Sequence, residues 1–141
     1  MNMKKIVIFG ATGNVGSYVH KYACEYFKDR YEVIASGHRQ TDFFEKQGQK
    51  YVSVDISRAE DFDKLPQEDV YAVIDLAAQI PSYMKGYQPE KYVKSNIMGA
   101  YNVLEYCRKV HADRILFSTT VFDISLSATN GAVLKPDMPY N

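Results

Sequence analysis

Lys4-Lys-Ile-Val-Ile-Phe-Gly10-Ala-Thr-Gly13-Asn-Val-Gly16 is the stretch that decides the fold of this 141-residue chain. A short apolar run breaks into glycines three residues apart and then passes into a helical pattern. That is the strand–turn–helix setting in which such glycines mark a dinucleotide-binding turn. Each glycine has a separate physical task. Gly10 lets the chain leave the strand in a tight turn. Gly13 lets backbone approach a pyrophosphate with no side chain between them. Gly16 lets the first helix press against the sheet. The N–H groups near Asn14 and Val15 then face the phosphates at the positive end of the helix dipole. Thr12 lies inside the same turn and joins the candidate binding residues.

Outward from the turn, Val15, Val19, Ala23, Tyr26 and Phe27 recur at helical spacing and predict one apolar face ending near Asp29. Residues 32–36 read as a strand ending at Gly37-His38-Arg39. Phe43 and Phe44 fall in a brief helical stretch stopped by Gly48. Residues 51–54 form a third strand ending at Asp55-Ile56, and 58–65 a short polar helix stopped at Pro66. The near-continuous apolar run 70–77 predicts a strand covered on both faces. Pro89 suits the first position of a long helix with an apolar stripe of Val93, Ile97, Ala100, Leu104 and Cys107. Residues 114–117 are a fifth strand leading to Ser118-Thr119-Thr120, and beyond Phe122 the periodicity dissolves.

Strands alternating with helices over short connections predict an α/β fold, a doubly wound parallel sheet of the Rossmann kind that stops after about five strands. A nucleotide-binding domain over 1–123 and an irregular tail over 124–141 follow. Ligands of such sheets sit beyond the carboxyl ends of the strands, where the strand order reverses. Residues 10–16, Arg39, Asp55, Ala77-Ala78 and Ser118-Thr119-Thr120 all fall at those ends.

Composition excludes other classes. Lys+Arg and Asp+Glu both number 17, which argues against nucleic acid or an acidic membrane surface as a partner. The basic start Met1 to Lys5 precedes only four apolar residues, too few for a signal peptide, and no run approaches a membrane span. A cytoplasmic protein is expected. Cys24 and Cys107 share no close spacing and read as reduced packing thiols. His20, His38 and His111 form no metal-ligand pattern, so no metal site is expected.

The chain from residue 4 to about 123 resembles the extended short-chain dehydrogenase/reductase family, the nucleotide-sugar epimerases and dehydratases. Gly10-x-x-Gly13-x-x-Gly16 is similar to that family's phosphate loop. Asp55-Ile56 resembles its adenine-contacting pair, and Leu76-Ala77-Ala78 the segment that passes under the cofactor. Asn96-Ile-Met-Gly99-Ala-Tyr-Asn-Val-Leu104 is similar to its helix motif, in which the Asn orders the active site. Ser118-Thr119-Thr120-Val121-Phe122 resembles its Ser/Thr segment, which implies Thr119, with Ser118 beside it, as the group binding the reacting hydroxyl. The segment departs from the pattern in length and at Phe122 and Asp123. The resemblance implies NAD or NADP as cofactor. Members specific for NAD carry an acidic residue at the end of the second strand. Here Gly37 stands there, followed by His38 and Arg39, and a guanidinium suits a 2′-phosphate. NADP is therefore the preferred expectation.

Chemistry in the family also needs a Tyr-x-x-x-Lys pair after the Ser/Thr segment, the tyrosine serving as general acid/base. Tyr87-Gln-Pro-Glu-Lys91 precedes that segment, and Pro89 breaks the turn that would align the pair. Two readings stay open. One is the cofactor half of an epimerase, dehydratase or reductase acting on a nucleotide sugar or another small hydroxyl or carbonyl compound, inactive alone. The other is a non-catalytic module that senses NADP(H). A sheet ending at its fifth strand leaves an edge through which copies of the chain could associate.

Overall fold

The structure, a computed structural model, describes residues 3–80, 86, 88–119, 133, 135 and 137. The expected boundary at 123/124 and the residues Thr120, Val121, Phe122 and Asp123 lie outside them. Five strands are present, β1 (Lys4–Phe9), β2 (Tyr31–Gly37), β3 (Lys50–Ser53), β4 (Val70–Asp75) and β5 (Arg114–Phe117). They pair in the order β3-β2-β1-β4-β5, every pair parallel. The order reverses between β1 and β4, which is the switch point of a doubly wound sheet. The expected fold class is the observed one, and each strand lies within about two residues of its sequence reading.

Period-two alternation along β1 explains why the sheet carries helices on both faces. Ile6 and Ile8 pack with Ala23 of helix α1 (Asn14–Phe27), Val33 and Ala35. Val7 and Phe9 point the other way, into a second cluster with Phe62, Val73, Val103 and Tyr106. Val103 and Tyr106 come from helix α3 (Gly99–Lys109), which follows α2 (Pro89–Tyr92) and a π-helical segment Val93–Met98. Short 3₁₀ segments, Glu45–Gln47 and Ala59–Lys64, stand where brief helices are expected. Gly48 ends the first in the left-handed region at φ 70°, its N–H bonded to the Glu45 carbonyl.

Both long helices bury only part of the stripe their apolar spacing predicts: Val19, Ala23 and Cys107 pack on the core, while the rest of each inward face is made of other residues. In α1 the buried residues are Gly16, His20 and Ala23, while Val15 and Tyr26 are 63% and 68% exposed. The cause is Gly16: a Cβ there would lie 2.0 Å from the Gly10 carbonyl oxygen. The helix sits so close to the turn that this contact sets its rotation. His20 is carried into the core against Phe44, ring centroids 5.0 Å apart. Burial holds its pKa below the ordinary value.

In α3 the inward residues are Gly99, Asn102, Val103 and Tyr106, whereas Val93, Ile97 and Leu104 are exposed. A Cβ on Gly99 would lie 2.6 Å from Ile56 Cδ1. That seat, together with the wider turn over Val93–Met98, shifts the phase of the stripe. The run 70–77 is a strand only to Asp75, and Ile74 keeps one half-covered side in a groove against Val15, Tyr18 and Tyr22. Strand β5, at the sheet edge, is exposed at all four residues.

Candidate functional site

Gly10 adopts φ +75°, a conformation that favours glycine. A Cβ there would also lie 2.7 Å from the backbone carbonyl of Leu76. The turn closes through Gly13 N–H to Gly10 O at 2.9 Å and is tied to β2 by Ala11 N–H to Ser36 O at 3.0 Å. Gly13 caps α1 in extended conformation with no side-chain cap, and no acidic residue occupies the first helical turn. Gly13, Asn14 and Val15 are exposed there. The leading amides of the helix need external acceptors, and the site is electrostatically suited to an anion. A Cβ at Gly13 would lie 3.2 Å from Gly10 O and meet nothing else within 4 Å. The residues present therefore fit a pyrophosphate.

Toward the β2–β3 side, Gly37 is buried and packed on Thr12; a Cβ there would lie 2.8 Å from Thr12 Oγ1. Any side chain at 37, a carboxylate included, would have to displace Thr12. Arg39 is exposed two residues further on. Its carbonyl accepts a hydrogen bond from the Tyr51 hydroxyl, which also reaches Gly37 O at 2.9 Å. Asp55 is half-buried, and its Oδ1 accepts from the Ser57 N–H at 3.0 Å and the Ser57 hydroxyl at 2.7 Å. One carboxylate oxygen thus closes the turn after β3. Ile56 beside it is buried beneath Gly99, and its carbonyl accepts from Asn102 Nδ2 at 2.8 Å.

Asn102 was not singled out from the sequence, although it is the buried amide of this helix. Its partner lies 46 residues away. The available signal was an amide side chain next to Val103 on a helix that had to bury something. Asn96, the Asn of the motif, is exposed. It pairs with the Gln79 backbone in both directions, accepting its N–H at 2.8 Å and donating to its carbonyl at 3.0 Å. This pair of hydrogen bonds holds the loop after β4 to the helix.

At the end of β4, Asp75 is 2% exposed. Its Oδ1 accepts the Ala77 N–H at 3.0 Å, and its carbonyl accepts both the N–H and the hydroxyl of Ser118 at 3.2 Å. Burial raises the Asp75 pKa above the usual carboxylate value, with the Ala77 amide working against it. Burial, and then the nearby Asp75 charge, push the Cys107 thiol up to about 11. Leu76 and Ala77 pack into opposite core clusters, so the loop straddles the carboxyl end of the sheet, and Ala78 faces solvent. Thr119 is exposed beyond Ser118. Tyr87 lies outside the described residues, while Lys91 belongs to α2, whose first position is Pro89. No group of His, Cys, Asp and Glu side chains that could hold a metal occurs among the described residues. No helix among them is long and apolar enough to cross a membrane.

Several known proteins are similar to this chain in sequence or in fold. The chain is 21% identical over 132 residues to an uncharacterised protein of Methanocaldococcus jannaschii, a match that covers 85% of this chain and 40% of the relative. UDP-glucuronic acid 4-epimerase of Bacillus cereus, solved with NAD and a fluorinated UDP-sugar, superposes with a TM-score of 0.73 at 26% identity. That match spans 97% of this chain and 46% of the epimerase. UDP-glucose 4-epimerase of Thermus thermophilus, solved with NAD, gives 0.74 at 21% identity over 97% of this chain and 44% of the other. Uronate dehydrogenase of Agrobacterium tumefaciens gives 0.67 at 20% identity over 99% and 49%. The chain thus spans less than half the length of each of these proteins. The sequence profile of the NAD-dependent epimerase/dehydratase family matches residues 6–140, and the chain belongs to that family.

Proposed function

We propose that this chain is the cofactor-binding portion of an oxidoreductase or epimerase acting on a nucleotide sugar, that it binds NADP(H) in preference to NAD(H), and that residues 1–141 alone do not turn over. The observation that carries the binding is the glycine turn, whose uncapped helix start accepts a pyrophosphate. Leu76, Ala77 and Ala78 floor the cofactor, Asp55 and Ile56 flank the adenine, and Asn96 keeps the floor in place through Gln79. A bound nicotinamide supplies reversible hydride transfer. Thr119, with Ser118 behind it, orients the reacting hydroxyl at the end of β5. Proton transfer needs an acid/base tyrosine that follows this segment in the family, and none occupies that position in these residues.

Support for NADP is local. The end of β2 carries no carboxylate for the ribose hydroxyls, Gly37 is sterically closed to one, and Arg39 offers a planar cation to a 2′-phosphate.

Calorimetry with NADH and NADPH tests both parts. Gly13→Ala adds a methyl at the exposed turn, where Gly10 O at 3.2 Å is its one near neighbour, and crowds a phosphate approaching the leading amides. Affinity for both nucleotides should fall more than about tenfold, an effect of some 1.4 kcal/mol. Unchanged affinities would remove the turn from the site. Losing a charge-assisted bond costs about 1.5–3 kcal/mol, so Arg39→Ala should weaken NADPH by one to two decades and spare NADH. A wild-type protein that prefers NADH would overturn the NADP reading.

A further inference from the structure

The turn that carries Arg39 is not free to wander, and what restrains it comes from a neighbouring strand. Tyr51, on β3, has an ionisable hydroxyl with one proton. Two carbonyls converge on it, those of Gly37 and Arg39. Gly37 O already accepts the Val54 N–H at 2.9 Å. The hydroxyl thus bridges the two ends of the turn, with the Arg39 carbonyl within its hydrogen-bond reach. The ring that presents this hydroxyl is itself fixed, stacked on Phe44 with centroids 5.1 Å apart and planes 2° from parallel. Phe44 is 3% exposed. Burial raises the Tyr51 pKa, opposed by the Ser53 side chain and by the Arg39 charge. On the other side, Thr12 packs against Gly37, which links this turn to the glycine turn of the phosphate cradle.

We propose that Tyr51 is a specificity-determining positioning residue: its hydroxyl holds the Arg39 carbonyl so that the guanidinium is presented to the 2′-phosphate of a dinucleotide ribose. The inference rests on the NADP reading above. Tyr51 touches the turn and leaves the phosphate contact to Arg39. A hydroxyl on β3 thereby converts a mobile surface cation into a fixed one, and less ordering is needed when the anion arrives.

Tyr51→Phe keeps the ring on Phe44 and removes only the hydroxyl. In the 141-residue chain its affinity for NADPH should fall about three- to tenfold, the range for one neutral hydrogen bond. Its affinity for NADH should stay within twofold. On an Arg39→Ala background the same substitution should cause no further loss of NADPH affinity, because the clamp acts only through the guanidinium. Additive losses would overturn the proposal and mark the hydroxyl as a general stabiliser. Amide exchange of residues 38–40 without nucleotide gives an independent readout. Faster exchange in Tyr51→Phe supports the clamp, and unchanged exchange overturns it whatever the nucleotide preference. If Arg39→Ala leaves the NADPH to NADH ratio unchanged, the NADP reading fails and the role in specificity with it, even with faster exchange. If Arg39→Ala collapses the ratio and Tyr51→Phe does not, only the clamp fails.

Discussion

Asp75 is a carboxylate with the exposure of a core valine, and its position gives it control over stability. Its folded pKa is raised by burial, so the folded state favours the protonated form. The stability linked to that form is complete below the ordinary carboxylate pKa and is lost as pH rises through the raised one. Asp75→Asn retains an oxygen for the Ala77 N–H and removes the titration. The variant should be more stable than wild type at pH 7, with the difference shrinking toward pH 4. Urea or thermal melts across that range measure it, and a gap that widens on acidification would refute it. His20 acts in the opposite direction. Its folded pKa is depressed, so its contribution is present above about 6.5 and lost as pH falls. It does so equally in both proteins, which isolates the Asp75 effect. Cys107 stays a neutral thiol over the whole interval.

Among the elements, the strands were legible and the helix faces were not. Apolar runs such as Ile6-Val-Ile-Phe9, bounded by glycine or aspartate, place strands by purely local rules. The same rules find helices α1 and α3 but misjudge their rotation, because both helices are apolar on more than one side. Rotation is chosen by close approaches, Gly16 on Gly10 and Gly99 on Ile56; the glycine spacing gives the first, whereas the second joins residues far apart in sequence and the apolar stripe shows neither. The glycine turn was legible for the converse reason, since all its requirements lie within seven residues. Asn102 was missed because its partner lies across the fold. A pair of substitutions tests the observed rotation. Leu104→Gln, on the exposed side, should change stability by less than about 0.5 kcal/mol. Phe62→Ala should cost about 3–5 kcal/mol, since Phe62 is 6% exposed and packs on Phe9 and Tyr106 with centroids 5.5 and 5.7 Å away. A large loss from the leucine change in denaturation would mean that α3 faces the sheet with its expected stripe after all.

For the whole molecule the decisive feature is the fifth strand. Ile115, Leu116 and Phe117 are 43–54% exposed on an edge strand, and such an edge pairs readily with another chain. Sedimentation of residues 1–141 should show association that rises with concentration, and Ile115→Lys should weaken it. A monomer at every concentration would dismiss the edge as an interface. The same preparation, given NADPH and a nucleotide sugar, should show no turnover above a protein-free control. Measurable conversion would mean that proton transfer has a donor within these residues.

Strand order also dictates the sequence of events as the chain leaves the ribosome. β1 is made first yet lies in the middle of the sheet, with Lys4 beside Tyr31 on one side and Ile6 beside Ala72 on the other. The β1–α1–β2 unit can close as soon as β2 emerges, but its second edge stays open until β4 is translated. Leu76, against which Gly10 is packed, arrives only then. A nascent chain stalled before β4 has left the exit tunnel therefore displays the glycine turn without its far wall.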